Sequence, residues 1–472
     1  MCKSKLLRVF LPLLVAVLVS AIALTGWQTL VRRAPLTDYA APADHFKYGS
    51  IGTEAVTGIP YWVWVVLPRL FPEKLPGSGG YTALGLTWEE GREMPIGLTK
   101  ERIGFDRVGL NCAVCHVGTV RAQKLDNPTF LLGGPSTKFD LQRYLQFLFD
   151  CARDPRFTAS FILPEIEYNH HITLLENILY RLIIIPRTKK MLLAEARAFA
   201  WMQNRPPTGP GRTDLNPFKI QVLGLPDDGS VGSADIMPLW QSPPTDFHRH
   251  WDGLNPSLRE AIVSGALATG TNAKEINLKS LDRIETWMAT QPAPAYPFAI
   301  DDALATQGQA IFTAECAACH AQGGDRTGQV IPLGEVLTDP NRAQHWTAAA
   351  AAAFNTFAEG KPWDFDQFQD TDGYTAVALT GLWARAPYLH NGSVPSLAAL
   401  LTPPAARPTT FYRGYDLYDP ANVGFVSSGP EAAKVGFKVD TQVVGNGNQG
   451  HLYGTELSAA EKRSLLEYLK TL

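Results

Sequence analysis

The stretch that decides the reading is Gly109-Leu110-Asn111-Cys112-Ala113-Val114-Cys115-His116, and its core returns once as Cys316-Ala317-Ala318-Cys319-His320. Two thiols one turn apart, followed directly by an imidazole, form the attachment signature of a c-type haem. The thiols add to the two vinyl groups and the histidine lies beneath the iron. A zinc site would want further cysteines or histidines close by in sequence, which neither pair has. A thioredoxin-like redox pair would want a βαβ context, and none is apparent. The sequence thus predicts two covalent c-type haems (iron), held by Cys112, Cys115, Cys316 and Cys319, with His116 and His320 as proximal ligands.

The sixth position on each iron decides the chemistry. The last methionine is Met288, so the second haem cannot draw a methionine from its own half of the chain. Of the histidines there, His345 reads as structural, beside Trp346. His451 stands in glycine-rich sequence before the final helix, where backbone can approach a flat macrocycle closely. It is the expected distal ligand, with His390 as the alternative. Bis-His ligation suits electron transfer. For the first haem the candidates are His170, His171, His248 and His250; if none binds, that iron is open to O₂ or peroxide. Trp251, next to His250, is a candidate relay between the haems.

At the N-terminus, Lys3, Lys5 and Arg8 precede an uncharged run over 9–27, and Arg32 and Arg33 follow. Nineteen residues at about 1.5 Å each approach the hydrocarbon thickness of a bilayer. The expectation is an inner-membrane anchor with the body on the periplasmic side. The alternative is a cleaved signal, with Ala21-Ile22-Ala23 as a passable site, leaving a soluble periplasmic or secreted protein. A second apolar stretch, Ile59 to Phe71, is too short and too broken to span; it reads as an interfacial belt or as core.

The remaining composition narrows the field. With 45% hydrophobic and 18% charged residues, disorder is a poor reading. A net charge of −3 speaks against a nucleic-acid partner. Six cysteines are too few for a disulfide scaffold. Of the two outside the motifs, Cys2 falls on the cytoplasmic side of an anchor and Cys151 reads as an inert buried thiol. Helical patterns are expected near 138–149 and 172–200, from an N-cap at Asp301, across Ala348 to Ala353, and after Ser458-x-x-Glu461, a capping-box spacing. Residues 204–244, with eight prolines, read as coil wrapped over something, and Gln291 to Pro297 as a linker. Strand-like alternation is scarce. The fold class expected is mainly α with extensive coil: a cytoplasmic tip and anchor or signal (1–34), an N-terminal haem domain (35–295) and a C-terminal cytochrome c domain (296–472).

Together these stretches resemble the di-haem cytochrome c peroxidase and MauG superfamily, in detail its branch of bacterial rubber oxygenases and fatty-acid di-haem dioxygenases. The resemblance rests on the two haem motifs, His250-Trp251-Asp252-Gly253, Thr338-Asp-Pro-Asn-Arg342, Tyr388 to Leu397, Arg407 to Phe425, and Gly450-His451-Leu-Tyr-Gly454. It implies an oxygen-handling N-terminal haem and a bis-His C-terminal one, with a late histidine matching His451. It also implies an oxidoreductase that takes O₂ or a peroxide and an electron donor or organic substrate. Two departures stand out: Leu254-Asn255 follows His-Trp-Asp-Gly where the branch has two asparagines, and the methionine of the peroxidases' high-potential haem has no counterpart. The rival class is a pure electron-transfer cytochrome with no substrate chemistry.

Overall fold

The computed structural model describes residues 31–241, 247–363 and 366–472, with scattered positions between 16 and 30. Helix and coil dominate, joined by short antiparallel strands of two to six residues. The longest pairing runs Leu98–Ile103 against Phe105–Leu110, with Leu98 opposite Leu110 and Ile103 opposite Phe105. The turn between them needs Gly104, at φ +74°. The expectation of scarce strands missed this hairpin because its inward positions are polar. Thr99 and Glu101 are buried there, beside buried Glu54, so hydrophobic alternation is lost although the pleat is present.

Several helices begin where their caps dictate. Asp140 accepts the amide of Arg143 ahead of the helix Leu141–Arg153. Asp301 accepts from Ala303 and Leu304 at the head of Asp302–Glu315. Thr347 starts the alanine-rich Ala348–Ala358. Ser458 and Glu461 form the reciprocal capping box of Ala459–Leu469. That last helix crosses Asp302–Glu315 at Gly308, where a Cβ would fall 2.0 Å from the Ser464 carbonyl oxygen.

The stretch Ile59 to Phe71 is core. Its helix Tyr61–Leu70 buries Val63, Trp64, Val66 and Leu67, and Trp64 stacks on Tyr81 at 4.2 Å.

Two large apolar cores form, and packing crosses residue 295 in both directions. Trp346, Phe354 and Phe368 join the core built mainly by residues 46–288, while Val120, Leu131 and Trp240 join the one around Trp383 and Leu465. Polar clasps reinforce the crossing. Asp416 accepts from Thr119 (2.9 Å), Arg121 (2.8 Å) and Lys138 (3.4 Å). Arg413 holds Asp235 at 2.8 Å, and Arg212 donates to Asn446 at 2.8 Å.

The anchor expected over residues 9–27 lies mostly outside the described residues. Among the described residues no helix is long and apolar enough to cross a membrane, against the roughly 20 apolar residues a spanning helix needs. The membrane-anchored placement is therefore corrected: no anchor is supported.

Candidate functional site

The two Cys-x-x-Cys-His segments fold alike. In the first, the amides of Cys115 and His116 return to the Cys112 carbonyl at 3.2 and 3.1 Å; in the second, Cys319 and His320 return to Cys316 at 3.2 and 3.0 Å. One tight turn thus presents two thiols and an imidazole together. All five described cysteines are free thiols. Burial pushes Cys112 up to about 11, Cys115 to about 12 and Cys316 to about 11. Among the described residues there is no group of three or more His, Cys, Asp or Glu placed to hold a metal ion.

The first turn is held from below. Asn111, fully buried, accepts the Ala113 amide at 3.0 Å and donates to the carbonyls of Phe46 (3.2 Å) and Gly49 (3.0 Å). Gly97, at φ +85°, passes so close that a Cβ there would sit 2.1 Å from the Val114 nitrogen. Beyond the turn, the amides of Ser136 and Gly133 hold the carbonyls of Cys115 (2.8 Å) and His116 (2.9 Å).

Both histidines are oriented identically. His116 Nδ1 donates to the Met237 carbonyl at 3.0 Å, and His320 Nδ1 donates to the Val377 carbonyl at 2.8 Å. Such a bond fixes the tautomer and leaves Nε2 with its lone pair for a metal. Burial lowers the basicity of both rings, His116 to about 4, which keeps each imidazole neutral and able to ligate.

The two sites differ on the opposite side. The ring of His451 faces that of His320 with centres 6.1 Å apart and planes at 38°. A metal–nitrogen bond of about 2 Å, with the ring centre roughly 1 Å behind its nitrogen, puts two imidazoles sharing one iron roughly 6 Å apart. The pair therefore fits a haem iron between them. His451 reaches this position at φ +47°. Its amide donates to the Val336 carbonyl at 2.8 Å, and buried Arg407 clamps the loop through the carbonyls of Asn448 (2.6 Å), Gly450 (2.9 Å) and His451 (3.2 Å). His390 lies elsewhere, stacked on Tyr374 at 3.8 Å and near Arg342 and Arg212, whose charges add to burial in keeping it neutral.

His116, Cys112 and Cys115 instead line a cavity of about 1160 Å³. Leu145, Leu148, Phe149, Met191, Phe218 and Ile262 supply apolar wall, and Arg212, Asp214 and Asp235 a polar margin. Residues 208–241 provide much of this lining, and they are not all coil as expected: they include a helical turn, Pro217–Val222, and the short paired strands Arg212–Thr213 and Ala234–Asp235. The cavity reaches Gln322, Gly323 and Val377 beside the second turn. His250 lines it too, with Nε2 buried and without a hydrogen-bond partner. His170, His171 and His248 do not line it: His170 stacks on Trp62 at 4.3 Å, and His248 Nδ1 sits 3.0 Å from the Gln369 side-chain amide.

Trp251 also lines the cavity and is hydrogen-bonded to two segments that lead to the histidine-orienting carbonyls. Its indole N–H donates to the Asp235 carbonyl at 2.7 Å, two residues before Met237. Its own carbonyl accepts the Thr375 amide at 2.8 Å, two residues before Val377. The carbonyls that orient His116 and His320 thus each lie two residues along the chain from a hydrogen-bond partner of the same tryptophan.

Sequence reasoning missed the carbonyls of Met237 and Val377, which no side chain advertises, and the Arg407 clamp, although Arg407 opened a stretch already singled out. His345, expected to be structural, is fully buried with Nδ1 2.7 Å from the Ser230 hydroxyl, while its Nε2 is buried without a hydrogen-bond partner. Cys151 is fully buried, its thiol pushed well up by burial.

A family model described as RoxA-like, cytochrome c-like, matches residues 373–412, the stretch containing Tyr374, Val377 and His390. The match supports a c-type cytochrome with a haem iron. Two proteins of Sinorhizobium fredii are similar, both named as uncharacterized. One, y4iM, is 33% identical over 236 residues, 44% of this chain and 52% of the relative. The other, y4iJ, is 27% identical over 482 residues, 77% of each. The chain spans about half the length of the first of these relatives.

Proposed function

We propose that this chain is a di-haem c-type cytochrome oxidoreductase of the cytochrome c peroxidase and MauG superfamily, nearest its rubber oxygenase branch. In this reading the His116 site meets O₂ or a peroxide, and the His320 site stores or passes electrons from an external donor or organic substrate. The observation that carries it is the asymmetry between two otherwise identical turns. His320 faces a second imidazole at 6.1 Å, whereas His116 lines a cavity of about 1160 Å³.

The residues divide the work as follows. Cys112 and Cys115, and Cys316 and Cys319, would hold one haem each; His116 and His320 would ligate iron, and His451 would complete the second site. Haem iron, when bound, supplies oxidant binding and one-electron chemistry. The apolar walls at Leu145, Phe149 and Phe218 exclude bulk water and strengthen the field of the Arg212 and Asp235 margin. Trp251, fixed at both its indole and its carbonyl, would be the aromatic relay from one site to the other.

A second reading, a pure electron-transfer cytochrome, is favoured by one observation: the unpartnered Nε2 of His250 in the same cavity. Electron paramagnetic resonance of the ferric protein separates the two. One high-spin and one low-spin signal support the open site; two low-spin signals leave only the carrier.

A further inference from the structure

The helix that starts at Leu174 is apolar on two sides. It runs as Leu174–Leu179, a π-helical turn Tyr180–Ile184, and Ile185–Ala198. Its inner side buries Leu179, Tyr180, Ile184, Ile185 and Leu192 in the core. Its outer side carries Leu174, Ile178 and Leu182 at successive four-residue steps, 80%, 44% and 67% exposed, with Leu175 and Ile183 beside them. A surface helix of a soluble domain ordinarily turns polar residues outward. Here a contiguous apolar stripe faces solvent instead, the mark of an interaction site.

Aromatic and charged groups lie close by in the chain, and one exposed acid, Glu167, accepts from the Asn177 side chain on the same helix as the stripe. Tyr168 is 84% exposed, and its neighbour His170 stacks on the half-buried Trp62. From 174 to 190 the chain has four cations, Arg181, Arg187, Lys189 and Lys190, and one acid, Glu176. Glu176 is turned back into its own capping box, accepting from the Thr173 amide (2.8 Å) and hydroxyl (2.9 Å). Lys189 is committed to the carbonyls of Asp154 and Phe157. Arg181, Arg187 and Lys190 are exposed, and among the described residues none of the three is in an ion pair.

We propose that this face docks on a lipid bilayer surface that carries anionic phospholipid headgroups. An apolar stripe with arginine, lysine and aromatic residues close by is the composition of a helix lying in the interfacial plane, its apolar side in the headgroup boundary and its cations on the anionic groups. A second copy of the chain is the alternative occupant, and the experiment below separates it from lipid. The proposal is independent of the haem reading, since no residue of the stripe lines the cavity.

The test is hydroxyl-radical footprinting of the full chain alone, with phosphatidylcholine vesicles, and with vesicles rich in phosphatidylglycerol. Oxidation at Leu174, Ile178 and Leu182 is read against Leu125, 94% exposed and far along the chain, which corrects for radical scavenging by lipid. Phosphatidylglycerol should lower the ratio several-fold, phosphatidylcholine should leave it near its starting value, and Arg181→Ser with Arg187→Ser should restore it. A ratio unchanged by phosphatidylglycerol overturns the proposal, even if the protein sediments with the vesicles. An equal fall on phosphatidylcholine overturns the anionic assignment. A fall that appears without lipid as protein concentration rises assigns the face to a second copy and overturns it too.

Discussion

Arg342 grips Asp252 through two hydrogen bonds, Nε to Oδ2 at 2.9 Å and Nη2 to Oδ1 at 3.1 Å, with both side chains almost without exposure. The pair joins the His250-Trp251-Asp252-Gly253 turn to the Thr338–Arg342 stretch. Trp251 is thereby held from the residue next to it.

Breaking this pair should be costly, because the remaining charge is left buried without its partner. Asp252→Ala or Arg342→Ala should each lower stability by about 3–5 kcal/mol, read by chemical denaturation. Arg342→Lys should rescue little, since an ammonium cannot reproduce the two-bond fork. A loss below about 1 kcal/mol for either alanine variant would show that the interior rehydrates at this point.

His451→Ala should turn one low-spin ferric signal high-spin, while His390→Ala should leave the spectrum alone. Arg407→Ala should produce a partial version of the His451 effect, a mixture of spin states, since it frees the three carbonyls that fix the loop. If His390→Ala is the variant that changes the spectrum, the ligand assignment moves to His390.

Asn111 and Gly97 support the first Cys turn without touching its thiols. Asn111→Ala leaves buried backbone carbonyls at Phe46 and Gly49 unmatched and should destabilise by about 1–3 kcal/mol. Gly97→Ala forces a Cβ into the Val114 backbone. Both should reduce covalent haem attachment at Cys112 and Cys115 while leaving that at Cys316 and Cys319 intact, as read by peptide mass spectrometry.

Glu101 gives a pH dependence of known sign. Burial pushes its carboxyl up to about 7, against the opposing pull of the Thr37 amide. The native state therefore holds this proton where the unfolded chain has released it. The Glu101 contribution to stability is complete below the ordinary carboxyl range and is lost as pH rises through about 7. Thermal unfolding at pH 5 and pH 8 should differ more in the natural protein than in Glu101→Gln; equal differences would remove Glu101 from the account.

What could be read in the sequence was local. A Cys-x-x-Cys-His turn closes on its own first carbonyl, and the caps at Asp301 and Ser458 act within three residues. The nearness of His451 to His320 could be anticipated from the glycines around it. What escaped was set by distant partners. The hairpin Leu98–Leu110 hides its alternation because Thr99 and Glu101 face a buried glutamate. The carbonyls of Met237 and Val377 carry no side-chain signal, and they lie 121 and 57 residues from the histidines they orient. Core formation by Ile59 to Phe71 needed Tyr81 and Tyr144, which come from other segments. The boundary at 295/296 marks proline-rich sequence, yet side chains on either side of it share cores.

The clasps at Asp416, Asp235 and Asn446 bear on what happens if the backbone is nicked. A protease acting within Gln291–Pro297 would sever the peptide while these contacts and both mixed cores persisted. The two fragments would then co-elute as one particle, separable only by denaturant. The spacing between His116 and His320, and with it the rate at which charge could hop from one to the other, would survive the cut.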